Sequence, residues 1–348
     1  MTRAEVLAFR TRAQQLDQDK TDAAVLDLGV QDTGPDGALW ALEIRGTRPH
    51  DGELSMLWTV RGAPHFYRRR DLPGIAAAVA PWSDADAAKR IFDAAKPLKA
   101  AGIGPLDALD AIAAAMRSVV TRPTSKGDLS TAVTKLLDEP YKRFCRPCNA
   151  IHLYEQPFRL AALRAGLELQ PGTSPPILQR IPGFKVAKQA PERFQIIPAY
   201  LRMLGPATPK HVADYLDAPV AEVKARWPEA AVEVKVGSEK RWALGDLDTA
   251  PVKTTRLLGP YDLFVQAKDR PLLVADPVRA KALWPVLGRP GAVLVDGDLA
   301  GLWRPRKVGS KLRIQIDRWS PVPVKRLEPE AERLAAFRGV TFAGFTEA

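Results

Sequence analysis

The stretch IIPAYLRMLGPATPKHVADYLDAPVAEVKARW, Ile196 to Trp227, decides the reading of the fold. Ile196 to Met203 carries apolar residues at helical spacing. Gly205-Pro206-Ala207 ends that helix. Thr208 then suits an N-cap, with Pro209 in the first helical position, where its missing N–H costs nothing. Lys210 to Leu216 reads as a second helix with Val212, Ala213 and Leu216 on one face, and Asp217-Ala218-Pro219 is a tight turn. Val220 to Trp227 is a third helix, with Val220, Val223 and Trp227 on its apolar side. Two short alternating segments, Ala231 to Val236 and Arg241 to Leu244, follow on either side of Gly237-Ser238-Glu239-Lys240. Helix, helix, turn, helix and β-hairpin in that order make a winged helix, an elaborated helix-turn-helix.

Outward toward the N-terminus, two further stretches present elements in a similar order. Residues 4–16 and part of 22–45 read as helical, 55–60 alternates like a strand, and 71–79 closes with a helix. Ala-rich helices then cover 83–100 and 104–119, two more run over 128–137 and 154–166, and strands are expected at 167–169 and 177–181. No strict repeat joins these stretches, so a tandem arrangement rests on element order. Outward toward the C-terminus the character changes. Residues 272–274, 292–295, 299–304 and 311–319 look like strands, with helices at 278–284 and 329–337 and Gly339 as a C-cap. Asp296-Gly297 supplies the positive φ angles of a two-residue hairpin.

The chain has 348 residues, 51 Lys plus Arg, 40 Asp plus Glu and a formal net charge of +11. Its 46% hydrophobic and 26% charged content is that of a globular protein and excludes a disordered or collagen-like chain. No run of about 18 apolar residues exists and Met1 to Glu5 lacks an apolar core, so neither a transmembrane helix nor a secretory signal is expected. A cytoplasmic location follows from this and from only two cysteines. The charge is uneven: residues 1–60 hold six basic and ten acidic side chains, whereas residues 301–326 hold eight basic and one acidic. Such a cluster is the electrostatic footprint of nucleic-acid binding; the competing reading is a solvated basic face.

Several stretches together resemble the winged-helix DNA glycosylases of the AlkZ type, including their crosslink-unhooking branch. They are Leu28-Gly29-Val30-Gln31-Asp32, Trp58-Thr59-Val60-Arg61-Gly62-Ala63-Pro64-His65, and Tyr200-Leu201-Arg202 with Gly205-Pro206-Ala207-Thr208. Leu257-Leu258-Gly259-Pro260-Tyr261-Asp262, Val295-Asp296-Gly297 and Gly301-Leu302-Trp303-Arg304 complete the set. The resemblance spans nearly the whole chain. It implies an α+β, helix-rich fold: three tandem winged-helix units with a C-terminal β-rich unit forming a concave surface around double-stranded DNA. The corresponding expected boundaries are 1–82, 83–190, 191–250 and 251–348. It implies hydrolysis of the bond between an N-alkylated purine and deoxyribose by a monomer, with no metal and no cofactor. No phosphate-cradling GxxxxGK[ST] occurs, so no nucleotide cofactor is expected either.

The catalytic element implied by the resemblance is a glutamine, an apolar spacer, then a glutamine or aspartate. Residues i and i+2 of an extended segment point the same way, so two polar groups can hold one water beside the sugar. This chain departs from that pattern, with Gln31, Asp32 and Thr33 in succession. Either Gln31 and Asp32 converge through the turn Gly34-Pro35-Asp36-Gly37 and retain hydrolysis, or Gln31 and Thr33 face the DNA and the site is weakened or lost. A third reading has Asp32 and Thr33 capping the following helix. The alternative to an enzyme is a non-catalytic DNA-binding protein, a damage sensor or a regulator.

The DNA-binding candidates are Arg61 and His65, the run Arg68-Arg69-Arg70, and Arg304, Arg306, Lys307, Lys311 and Arg313 of a basic hairpin. Each suits phosphate contact; the alternatives are a structural histidine and solvated cations. Trp303 and Trp319, which flank the hairpin, are expected in the core. Cys145-Arg146-Pro147-Cys148 and His152 form part of a zinc pattern without an obvious fourth ligand, for which Glu155 or Asp138 would serve. Two reduced thiols are the expectation there.

Overall fold

The computed structural model describes residues 1–34 and 36–347. Pro35, within the turn expected after Thr33, lies outside the described residues. Among the described residues, no helix is long and apolar enough to cross a membrane. The chain forms two compact units, one of residues 1–49, 199–211 and 228–348, the other of residues 50–198 and 212–227.

In the first unit the N-terminal helix Arg3–Ala13 begins with a reciprocal capping box between Thr2 and Glu5, which satisfies two backbone donors. The C-terminal strands Thr255–Leu258, Gly291–Val295, Asp298–Val308, Lys311–Arg318 and Thr341–Glu347 lie side by side in that order. The first three pairings are antiparallel and the last is parallel. A parallel pair needs a crossover, and the helix Glu328–Phe337 provides it. Gly339 follows at φ 63°, as a C-cap requires. Asp296 and Gly297 turn the hairpin at φ 51° and 85°. Gly291 is obligatory: a Cβ there would lie 2.2 Å from Trp303 Nε1, which donates to the Leu258 carbonyl at 2.8 Å. Trp303 is therefore core, as expected.

The deepest polar contacts of this unit are arginine–carboxylate pairs. Arg45 holds Asp262 through two bonds of 2.7 and 2.9 Å, and both side chains are buried. Arg10 holds Asp269 at 3.0 and 2.8 Å, and Arg241 joins the same carboxylate. Burial alone would raise the Asp269 carboxyl, but the two guanidinium groups outweigh it and hold it below the usual carboxylate range.

In the second unit the strands Pro64–Arg68, Leu54–Trp58, Leu167–Leu169, Ile177–Arg180 and Thr124–Ser125 neighbour one another in that order, all antiparallel. Leu57, Tyr67, Ile75, Leu163 and Phe194 pack together in its core. The helices Pro105–Val119 and Glu155–Arg164 present buried stripes, Leu109, Ile112 and Met116 on the one and Phe158, Ala161 and Ala162 on the other.

The decisive stretch forms helices Ile196–Leu204, Pro209–Leu216 and Val220–Ala225, then a hairpin of Val232–Val236 and Glu239–Ala243. Thr208 Oγ1 accepts from the His211 N–H at 3.3 Å, the expected cap. Ala207 and Trp242 exchange backbone hydrogen bonds at 2.8 Å, which ties the segment before the second helix to the hairpin. One local expectation changes. Residues 272 and 273 belong to a short helix, Arg270–Leu273, and Val274 follows it as extended backbone, because Pro271 sits in the first turn and favours helical entry. The helix expected within 22–45 is Gly37–Glu43, preceded by a turn Ala24–Asp27, Gly29 at φ 89° and a short strand Val30–Gln31. The run Arg69–Asp71 is a single 3₁₀ turn leading into the helix Leu72–Val79.

Candidate active site

The strand Val30–Gln31 is only two residues long, and Gln31 is buried in it. Its side-chain nitrogen donates to Thr33 Oγ1 at 3.0 Å. Asp32 between them turns away, and its Oδ1 accepts from the Ala38 N–H at 2.9 Å. Alternation along an extended backbone separates them in this way. The helix Gly37–Glu43 has no side-chain cap from Asp36, so Asp32 satisfies one of its free donors from further back. Gly37 at φ 45° makes room: a Cβ there would lie 1.9 Å from Asp32 Oδ1. Burial pushes the Asp32 carboxyl above the usual range, against the opposing effect of the Ala38 bond. Asp36 is held by Arg338, whose Nε donates to Oδ1 at 2.6 Å.

Thr33 opens onto a cavity of about 160 Å³ in the first unit. Asp36, Pro260 and Trp303 also line it, together with three cations, Arg289, Arg304 and Arg306. Arg289 lies over the Tyr261 ring, 5.0 Å from its centroid, and Arg304 donates to the Gly288 carbonyl at 2.8 Å. These contacts fix two guanidinium groups at the rim. Arg306 bonds the Gln315 side chain at 2.8 Å from the neighbouring strand.

Beyond the cavity the hairpin of Asp298–Val308 and Lys311–Arg318 projects as an exposed basic tip. Arg306 pairs directly with Arg313, Lys307 with Leu312 and Val308 with Lys311. Gly309 turns the tip at φ 57°. Like charges opposite one another are unfavourable.

The remaining candidates lie in the second unit, and several face inward. Arg61 has φ 58°, donates to the Tyr215 carbonyl and stacks over the Tyr215 ring at 4.8 Å. His65 is fully buried. Its Nδ1 bonds the Ala63 carbonyl at 2.9 Å and approaches Thr59 Oγ1 at 3.1 Å. Burial, with the nearby Arg61 charge, lowers its pKa to about 3, so the ring is neutral. Arg68 is buried against Asp71, and Arg69 pairs with Glu168 at 2.9 Å. Arg70 is the exposed member of the run, with 69% of its side chain accessible.

A family model described as "DNA glycosylase AlkZ-like" matches residues 3–337. The chain belongs to the AlkZ-like DNA glycosylase family. Its structure is similar to the solved Streptomyces sahachiroi DNA glycosylase AlkZ, with a TM-score of 0.75, 21% identity and full coverage of both chains. No protein of curated function matches it in sequence.

The AlkZ-like motifs can now be read physically. Leu257 and Leu258 offer carbonyls to the indole N–H groups of Trp40 and Trp303, at 2.7 and 2.8 Å. Gly259 and Pro260 line the cavity, and Asp262 anchors Arg45. Gly205 supplies the carbonyl that Arg10 Nε meets at 3.0 Å. Much of the motif set is thus packing chemistry around the cavity. Arg289 is the one cavity cation that sequence reasoning missed. The turn chemistry of Gly288-Arg289-Pro290-Gly291, between an expected helix and an expected strand, was the available signal.

Proposed function

We propose that this AlkZ-like chain is a monofunctional DNA glycosylase that hydrolyses the N-glycosidic bond of N-alkylated or crosslinked purines in double-stranded DNA. The observation that carries the reading is the Gln31–Thr33 pair at the cationic cavity. Because Thr33 Oγ1 accepts from Gln31, the Thr33 hydroxyl proton and Gln31 Oε1 remain to orient a water. That water accepts from Thr33, donates to Gln31 and presents a lone pair to the sugar. The alkylated base carries its own positive charge. As it departs it takes the electron pair of the C–N bond and becomes neutral. The water then forms the new C–O bond to the oxocarbenium-like sugar and releases its proton to solvent.

This arrangement positions water more than it stabilises charge. Asp32 is engaged with a helix terminus and Asp36 with Arg338. The substrate class is therefore purines already activated by N-alkylation, not neutral lesions. A cavity of about 160 Å³ is smaller than the roughly 300–1,000 Å³ of pockets that enclose a whole ligand, which supports action on a base still partly stacked. Arg289, Arg304 and Arg306, with Lys307, Lys311 and Arg313 at the hairpin tip, take the phosphates, and three winged-helix units dock the duplex. Within 68–70, Arg70 is the phosphate contact. Arg61, His65, Arg68 and Arg69 shape the second unit. The protein acts as a monomer without a cofactor.

A second reading, a non-catalytic DNA-binding protein, is favoured by one observation: the carboxylate of Asp32 is committed to a cap. Release of 7-methylguanine from alkylated duplex DNA separates the two. Under the glycosylase reading, Gln31→Ala and Thr33→Val each lose about 10²-fold in rate, as misplacement of a reactant does, and Asp32→Asn stays active. Salt-dependent duplex binding without base release from any alkylated or crosslinked substrate would establish the second reading.

A further inference from the structure

We propose that Cys145, Cys148 and His152 form a zinc site that clamps the hairpin of Lys142–Cys145 and Ala150–Leu153. The two sulfurs and a histidine nitrogen lie within 4.8 Å of one another. Tetrahedral zinc with bonds of about 2.0–2.3 Å needs ligand atoms roughly 3.5–4 Å apart, so small side-chain rotations bring the three onto one ion. This replaces the expectation of two independent thiols.

The hairpin builds the site in three ways. Cys145 ends the first strand, and the chain doubles back through Asn149, at φ 47°, whose N–H donates to the Arg146 carbonyl at 3.2 Å. Cys148, in that turn, comes back toward Cys145. On the second strand, Ala150 pairs with Cys145 and His152 with Arg143, so His152 and Cys145 share one face as diagonal neighbours. Finally, His152 Nδ1 donates to the Leu153 carbonyl at 2.7 Å, which leaves Nε2 as the bare nitrogen. A backbone carbonyl fixing the non-ligating nitrogen is the usual support of a metal-bound histidine.

One further observation points the same way. The hairpin has little apolar cover at its tip. Phe144 and Ile151 face each other across it and are 58% and 57% exposed, and a two-stranded ribbon is marginal by itself. Two thiolates and an imidazole suit zinc by softness and by preferred geometry. Glu155 is held by Lys126 and Arg159, each at 2.6 Å, so water completes the tetrahedron.

The test uses the full chain, reduced, loaded with zinc chloride, desalted and assayed for metal by mass spectrometry. About one zinc per chain is expected for the wild type and close to none for the Cys145→Ser/Cys148→Ser double variant, with matching circular dichroism as the folding control. Cobalt in place of zinc is expected to give a thiolate charge-transfer band that the double variant lacks. Should that variant misfold, alkylation of the wild-type thiols decides: zinc slows it under the proposal. Equal metal in wild type and variant, no metal in the wild type, or alkylation indifferent to zinc would overturn the site. None of these readouts depends on glycosylase activity.

Discussion

Arg306 stands directly opposite Arg313 across the basic hairpin, and both side chains are exposed. Two like charges in register are unfavourable in the free protein and favourable only when an anion lies between or beside them. Arg313→Thr is expected to stabilise the free protein by up to about 1 kcal/mol. The same change is expected to weaken duplex binding and reduce the slope of log affinity against log salt by about one. Thermal unfolding and binding titrations across a salt series check both. An unchanged salt slope would place the hairpin away from the DNA.

Asp32 separates capping from catalysis. Asp32→Ala removes the bond to the Ala38 N–H and is expected to cost about 0.5–2 kcal/mol. Asp32→Asn keeps an oxygen acceptor and removes a buried charge. Because burial raises the carboxyl above its unfolded value, the native state binds the proton more tightly, and the acid destabilises the fold as pH rises through that window. Asp32→Asn is therefore expected to match or exceed wild-type stability at pH 7, with the difference fading near pH 3. Urea unfolding at the two pH values measures it.

His65 sets a pH limb of opposite origin. Its native pKa of about 3 lies below the unfolded value near 6.5, so between them the unfolded chain binds the extra proton. Stability is then lost as pH falls from about 6.5 toward 3, at up to about 1.4 kcal/mol per pH unit. His65→Asn is expected to flatten this limb while lowering stability at pH 7. A wild-type and variant pair with parallel acid limbs would contradict the buried neutral imidazole.

The Arg45–Asp262 pair is expected to be costly to break and cheap to replace. Asp262→Ala leaves a buried guanidinium unpaired, at a cost of about 3–5 kcal/mol. Arg45→Met combined with Asp262→Leu is expected to cost less than either single change. A double-mutant cycle by urea unfolding gives the coupling, and simple additivity would show the pair to be uncoupled.

Local chemistry was legible wherever a residue acts through its near neighbours. The Thr208 cap, the Asp296-Gly297 turn, the Gly339 C-cap and the helix Pro105–Val119 all follow from such signals. The strand Thr341–Glu347 was not legible, because its parallel partner Lys311–Arg318 lies beyond an intervening helix. The strands Lys142–Cys145 and Ala150–Leu153 escaped notice for another reason. Their hairpin buries little apolar surface, so no alternation marks it.

By itself the sequence determined most of the helices, the tight turns, the family and the concentration of positive charge near residues 301–326. These are properties of residue type and order. It left three placements open for Gln31, Asp32 and Thr33. Only the tertiary structure decided among them, because the choice depends on what lies around the segment. The helix Gly37–Glu43 draws the Asp32 carboxylate to its N-terminus, and Thr33 is left with Gln31 beside Arg289, Arg304 and Arg306. The partners that make this cavity come from positions more than 200 residues further along the chain, and no local signal carries their proximity.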